Sequence, residues 1–164
     1  MRLWIIRHGK AEQDSPTGRD EHRLLRDRGR RQAQWLGETL RDSDTPPTLI
    51  LSSGLLRAIE TARIIQGSLG CSLLVEPALE TGHDADEALE LIESHPDARS
   101  LAIVGHNPQL DSLIAVLAGT GVQAVHLRTG EAVALEVPGR PAVERGGATV
   151  AAAIRLEEPA EPVA

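Results

Sequence analysis

Two histidines of this sequence stand where short apolar runs end. Leu3-Trp4-Ile5-Ile6 leads into Arg7-His8-Gly9-Lys10, and Leu101-Ala102-Ile103-Val104 leads into Gly105-His106-Asn107. Two further runs end in polar groups. Thr48-Leu49-Ile50-Leu51 opens on Ser52-Ser53-Gly54 and then Arg57, and Leu73-Leu74-Val75 opens on Glu76-Pro77 and then Glu80. Guanidinium groups take phosphate oxygens through paired hydrogen bonds, and an imidazole beside them can attack phosphorus. Neighbouring arginines disfavour a charged His8, which keeps a neutral nucleophile available near pH 7. Arg7, His8, Arg57 and His106 together read as an anion site that contains a nucleophile, and phosphate is the commonest anion to build for. As a strand-end residue, His8 is expected to be exposed and to carry little packing.

These groups need elements to bring them together. Apolar runs of three or four residues are too short for helices and read as strands. Between them, helical spacing from Asp27 to Arg41 places Ala33, Leu36, Gly37 and Leu40 on one face. A helix starting at Ser52-Ser53-Gly54 turns Leu55, Ala58, Ile59, Ala62 and Ile65 inward. Asp84 caps a helix through Glu93, with Ala88, Leu91 and Ile92 inward and Asp86 and Glu87 in its first turn. Asn107-Pro108 starts another, with Asn as the cap and Pro at the first helical position, and Gly119 ends it. Val133-Leu135-Val137 and Val150-Ala152-Ile154-Leu156 alternate with period two and read as later strands, with antiparallel pairing open to them. The segment Pro138 to Gly147 joins them, and residues 11–25 read as a long loop. Strands alternating with helices predict an α/β fold: a three-layer sandwich with a central, mostly parallel sheet flanked by helices. In such sheets ligands bind outside the carboxyl ends of the strands, where the groups above fall.

Composition narrows the function classes. The 164 residues suit one domain, expected over 1–156, followed by an acidic, Pro-bearing tail, 157–164, expected to be disordered. Apolar residues make up 41% of the chain, and Cys71, the one cysteine, reads as core. With 17 basic against 24 acidic residues the net charge is −7, which argues against a nucleic-acid partner. Trp4 and Trp35 are the only aromatic residues among Phe, Tyr and Trp, so there is no base-stacking platform. No apolar stretch is long enough to span a membrane, and the first apolar run is too short for a signal peptide, so a cytoplasmic protein is expected. His22, His95 and His126 lack metal-ligand spacing, and neither a metal nor another cofactor is expected. Gly119-Thr120-Gly121-Val122-Gln123-Ala124 carries the letters of a dinucleotide fingerprint but follows a helix and precedes a strand, so it reads as a turn. Arg26, Arg28, Arg30 and Arg31 read as a solvated helix face.

Arg7-His8-Gly9, the run from Ser52 through Arg57 to Ala62, and Val104-Gly105-His106-Asn107-Pro108 together resemble the histidine phosphatase (phosphoglycerate-mutase-like) superfamily. The resemblance covers residues 1 to about 156. Within the superfamily the chain looks most like the SixA-type phosphohistidine phosphatases, through its shortness, the Gly-His-Asn-Pro motif and the linker Arg23-Leu24-Leu25-Arg26-Asp27-Arg28-Gly29. In that linker Leu24 replaces the branch's usual Pro and Arg26 a frequent Thr. The resemblance implies that His8 is the nucleophile, transiently phosphorylated, and that Arg7, Arg57 and His106 complete the phosphate pocket. It implies substrate contacts for Gly9 and Asn107. For Arg23 it leaves two readings open, a phosphate contact or an exposed arginine.

Glu80 lies where many superfamily members supply a general acid, and His83 is a weaker rival for that job. An alkoxide leaves poorly without a proton, its relative water having a pKa of about 15.7. An imidazole, with a pKa of about 6.5, leaves far more easily. A phosphohistidine substrate therefore tolerates a badly placed acid and a sugar phosphate does not. Only eight residues separate Val75 from Asp84, too few for a cap over the site. An open groove suits a phosphorylated side chain on a protein partner. A small phosphomonoester and a non-catalytic phosphate-binding module remain the alternatives.

Overall fold

One six-stranded sheet organises the chain. The computed structural model describes residues 1–121, 124–138 and 143–159. Its strands are β1 (Arg2–Arg7), β2 (Leu49–Ser52), β3 (Ser72–Val75), β4 (Ser100–Gly105), β5 (Glu131–Glu136) and β6 (Thr149–Arg155). They lie in the order β3-β2-β4-β1-β5-β6. The first four are parallel, and β5 is antiparallel to both β1 and β6. The helices are α1 (Asp27–Arg41), α2 (Leu56–Leu69), α3 (Ala85–Glu93) and α4 (Gln109–Ala118).

Alternating residues of each central strand feed two cores, one on each face of the sheet. Trp4, Ile6, Ile50, Ala102 and Val104 pack with Leu36 and Leu40 of α1 and Ala58, Ala62 and Ile65 of α2. Leu3, Ile5, Leu51, Leu101 and Ile103 face the other way, onto Ala88 and Ile92 of α3 and Leu110, Leu113 and Leu117 of α4. Each fully buried Leu or Ile side chain stabilises the fold by roughly 1.5–3 kcal/mol. The result is the expected α/β sandwich of three layers, with its long central strands apolar on both faces.

The helices follow their sequence signals, with shifts at the ends. α1 spans its expected limits because its apolar residues keep the 3.6-residue period. Asp84 caps α3 in a reciprocal capping box with Glu87, and Ala85, Ala88, Leu89 and Ile92 make the buried stripe while Leu91 is half-buried. α2 begins at Leu56 rather than Gly54, after Ser53 Oγ accepts from Leu55 N–H at 3.2 Å. α4 begins at Gln109 with Pro108 as its cap, later than expected, because the Asn107 side chain is drawn to Leu127. Asn107 Oδ1 still accepts from Asp111 N–H at 3.2 Å. Gly119 closes α4 with a left-handed φ of 71°.

Two expectations change in detail. The loop over 11–25 holds a 3-10 turn, Asp20–His22, and an antiparallel bridge between Ala11 and Leu25. Opposite Ala134 and Leu135 of β5, β6 carries an extra residue, Ala151, and the register shift breaks the alternation: Ala152 and Ile154 pack against the α1–α2 side, while Val150 is 54% exposed. Cys71 is half-buried against the same core rather than within it. Arg30 pairs with Asp27 and Glu60, and Arg31 pairs with Glu158. Of the acidic tail, residues 160–164 lie outside the described residues, as do 122–123 of the Gly119–Ala124 segment and 139–142 of the joining segment. Among the described residues, no helix is long and apolar enough to cross a membrane.

Candidate active site

Register places the two histidines together. β1 and β4 pair with Arg7 opposite Gly105, so the next residues, His8 and His106, leave the sheet side by side. Neighbouring strands lie about 4.8 Å apart, and the two rings stand 5.1 Å apart between centroids, tilted by 51°. β2 pairs with β4 with Ser52 opposite Val104. Ser53 therefore falls on the far side of His106, its Oγ 2.7 Å from His106 Nε2. Neither imidazole is exposed: His8 is 6% and His106 4% accessible, which corrects the expectation for a strand end. The cause is the turn at Gly130, whose N–H donates to the carbonyls of Arg7 and His8, and the loop after β1, which folds back onto α1 through Lys10 N–H and Gln32 Oε1.

The His8 ring has one tautomer open to it. Its Nδ1 lies 2.8 Å from the carbonyl oxygen of Gly9, which only accepts, so Nδ1 carries the hydrogen and Nε2 the lone pair. Burial lowers the His8 pKa to about 3, with the charges of Arg57, Arg7 and Arg23 acting in the same direction and the Gly9 hydrogen bond against them. The ring is therefore neutral near pH 7. Gly9 N–H donates to Thr61 Oγ1 at 3.0 Å, and the Thr61 hydroxyl donates to the Arg57 carbonyl at 2.7 Å. A methyl group on Gly9 would stand 2.6 Å from the Gly29 carbonyl oxygen, so this crossing of loop and helix requires a residue without Cβ.

The guanidinium groups are held by their far ends. Arg57, 3% exposed, donates through Nη1 to the Asp20 carbonyl at 2.9 Å and through Nη2 to Asp20 Oδ2 at 3.0 Å. Arg7 donates through Nη1 to the Leu127 carbonyl at 3.1 Å. Arg7 Nε, Arg57 Nε and His106 Nδ1 are buried without a partner. Burial lowers the pKa of His106 to about 3 as well, helped by His8, Arg57 and Arg7 and opposed by Asp20. Buried donors left unpaired cost roughly 1–3 kcal/mol each. Two unpaired guanidinium N–H groups and an unpaired His106 ring nitrogen beside the neutral His8 imidazole leave hydrogen-bonding capacity that an anion would satisfy.

The other expected site residues take different positions. Arg23 reaches the cluster through Asp20: its Nε donates to Asp20 Oδ1 at 2.9 Å and its Nη1 to the Glu12 carbonyl at 2.9 Å. Glu80 follows a 3-10 turn, Pro77–Leu79, and its carboxylate lies against the β2–α2 turn, where a methyl group on Gly54 would meet Oε1 at 2.5 Å. His83 pairs with Glu87 at 2.9 Å. Asn107 Nδ2 donates to Leu127 at 2.9 Å and its Oδ1 accepts from Asp111. Through these atoms and Gly9 N–H, Asn107 and Gly9 hold neighbouring segments in place. Sequence reading missed Asp20, Gln32, Thr61 and Asp111. Gln32 carried a signal, since it stands on the apolar stripe of α1 four residues before Leu36. Among the described residues no three His, Cys, Asp or Glu side chains gather as a metal site.

Fold and site together define an α/β sandwich that brings two neutral imidazoles and two arginines to the carboxyl edge of its sheet. The histidine phosphatase superfamily (branch 1) profile matches residues 3–84, and the chain belongs to that superfamily, whose members are phosphatases. No curated protein matches it by sequence. Its fold is similar to that of the protein histidine phosphatase SixA complexed with tungstate, at 21% identity over 94% of this chain and 97% of that one, with a TM-score of 0.82. It is similar, too, to a mycobacterial glucosyl-3-phosphoglycerate phosphatase complexed with VO3 (20% identity, 92% and 97% coverage, TM-score 0.73). A third relative in fold is the alpha-ribazole phosphatase of Shigella flexneri (23% identity, 88% and 94% coverage, TM-score 0.68).

Proposed function

We propose that this protein is a phosphatase that hydrolyses phosphohistidine on a protein partner through a phosphorylated His8. The observation that carries the reading is the His8 ring itself, neutral, with Nδ1–H given to Gly9 and Nε2 left as a lone pair, near Arg7 and Arg57, whose buried Nε–H groups are unpaired. In the first step Nε2 attacks phosphorus, the P–N bond to the substrate imidazole breaks, and that imidazole leaves with its electron pair and takes a proton from water. In the second step water attacks phosphorus, the P–Nε2 bond breaks, and inorganic phosphate leaves with the proton released to solvent. Arg7, Arg57 and His106 stabilise the charge that collects on the three equatorial oxygens, the main catalytic need of a loose phosphoryl transfer. The β3–α3 connection is too short to supply a cap, which suits a side chain presented by a folded partner. SixA, similar in fold, is a protein histidine phosphatase by name.

A second reading, hydrolysis of a small phosphomonoester, draws on the Glu80 carboxylate at the β2–α2 turn, which would protonate an alkoxide. The experiment that separates the two is turnover of a phosphohistidine protein beside a panel of sugar phosphates and nucleotides, with orthovanadate as inhibitor. Phosphohistidine turnover at least ten times faster in kcat/KM than any monoester supports the first reading, and the reverse order replaces it with the second. Acid-labile, alkali-stable phosphoryl label on the protein during turnover supports His8 as carrier, and label on Asp or Cys overturns it.

A further inference from the structure

Asp20 lies in the 3-10 turn between β1 and α1, and none of the chemistry above uses it. Its three oxygens nevertheless take four hydrogen bonds. The backbone carbonyl accepts from Arg57 Nη1 and from Arg23 N–H, at 2.9 and 3.1 Å, Oδ2 accepts from Arg57 Nη2 at 3.0 Å, and Oδ1 accepts from Arg23 Nε at 2.9 Å. The guanidinium of Arg57 is gripped on its Nη edge by one residue, while its Nε, buried, has no partner. A long arginine side chain gives up rotamer freedom when it is held in one orientation. A planar donor is useful to a transition state only if its orientation is set beforehand.

We propose that Asp20 is a positioning residue that orients Arg57 for the transferring phosphoryl group and ties Arg23 to the same cluster. The proposal rests on the phosphatase reading for its kinetic arm only. Asp20 is anionic in this setting: partial burial pushes its carboxyl upward, but the charge and hydrogen bond of Arg57, and then of Arg23, hold it below the ordinary aspartate range. It also offsets repulsion, since Arg57 faces the like charges of Arg23 and Arg7. The obvious rival is that the carboxylate imitates phosphate and competes with it for Arg57. The two roles predict opposite signs for anion binding. An orienting Asp20 strengthens it and a competing Asp20 weakens it.

The test uses Asp20→Ala and the isosteric Asp20→Asn in the full chain, with thermal melts to identify folded protein. Orthovanadate affinity is measured by calorimetry, which requires no turnover, and kcat and KM are measured with p-nitrophenyl phosphate. The expected result is vanadate binding weakened at least tenfold in Asp20→Ala, with kcat reduced by a similar factor. Asp20→Asn, which keeps the backbone acceptor and one side-chain oxygen, falls between it and the parent. Vanadate bound as tightly as by the parent, or more tightly, overturns the proposal, as does a loss confined to thermal stability. If the unsubstituted protein binds vanadate but forms no phosphoenzyme, the phosphatase reading fails alone and the calorimetric arm still decides the role of Asp20.

Discussion

Arg7 and Asn107 donate to one and the same carbonyl oxygen, that of Leu127, at 3.1 and 2.9 Å. The Leu127 N–H goes the other way, to Asp111 Oδ1 at 2.9 Å, so the loop peptide is clamped from both sides. Arg7 therefore depends on a segment 120 positions away for its orientation. Asn107→Ala removes one of the two donors and the acceptor for Asp111 N–H. It should lower kcat/KM about tenfold while destabilising the fold by about 1–2 kcal/mol, the scale of one or two hydrogen bonds. Steady-state kinetics beside a urea titration checks this, and unchanged kinetics would show that Arg7 needs no such clamp.

His8→Ala should end turnover and phosphoenzyme formation while leaving a folded protein. The buried ring makes this less innocuous than removing a surface group: a cavity opens, and the Gly9 carbonyl loses its donor. The combined cost should be roughly 1–3 kcal/mol. Circular dichroism with melting separates lost chemistry from lost structure. Turnover above about a hundredth of the parental rate in the folded variant would remove His8 from the role of nucleophile.

Acid should weaken the fold through the same two rings. His8 and His106 are lowered by burial, first of all, from the ordinary value near 6.5 to about 3. The unfolded chain takes up protons as pH falls below about 6.5 and the folded chain does not, so their contribution is fully present above that pH and is lost toward pH 3. The slope is at most about 1.4 kcal/mol per pH unit for each ring. Urea midpoints should fall between pH 6.5 and 4.5, and His8→Asn should flatten that fall by about half. Equal slopes in the two proteins would place the acid sensitivity elsewhere.

What could be read beforehand follows from how local each signal is. α1 is legible because Ala33, Leu36, Gly37 and Leu40 repeat at helical spacing. The meeting of Arg7, His8, Arg57 and His106 is legible because parallel strands deliver their carboxyl ends to one edge. Their burial is not, since it depends on a turn at Gly130 that no residue near His8 announces. The grip of Asp20 on Arg57 spans 37 positions, and that of Gln32 on Thr129 spans 97, both created by loop closure rather than by pattern. In β6 the regular spacing of Val150, Ala152 and Ile154 hid a bulge that turns Val150 to solvent.

Glu80 and Gly54 offer a paired test of acid assistance. Glu80→Gln removes the proton, so alkyl phosphates, whose leaving group needs it, should slow by about 10²–10⁴-fold while phosphohistidine slows little. Gly54→Ala should reach the same phenotype by another route. Its methyl group would meet Glu80 Oε1 at 2.5 Å, and because that oxygen ends a flexible side chain the carboxylate can swing away and leave the fold intact. Both variants should keep parental vanadate affinity, since neither touches Arg7, Arg57 or His106. Matching selectivity profiles with unchanged melting identify Glu80 as the acid and place it by the glycine. Equal slowing of both substrate classes in Glu80→Gln means that the carboxylate acts on binding or folding, and that leaving-group chemistry does not govern what this pocket hydrolyses.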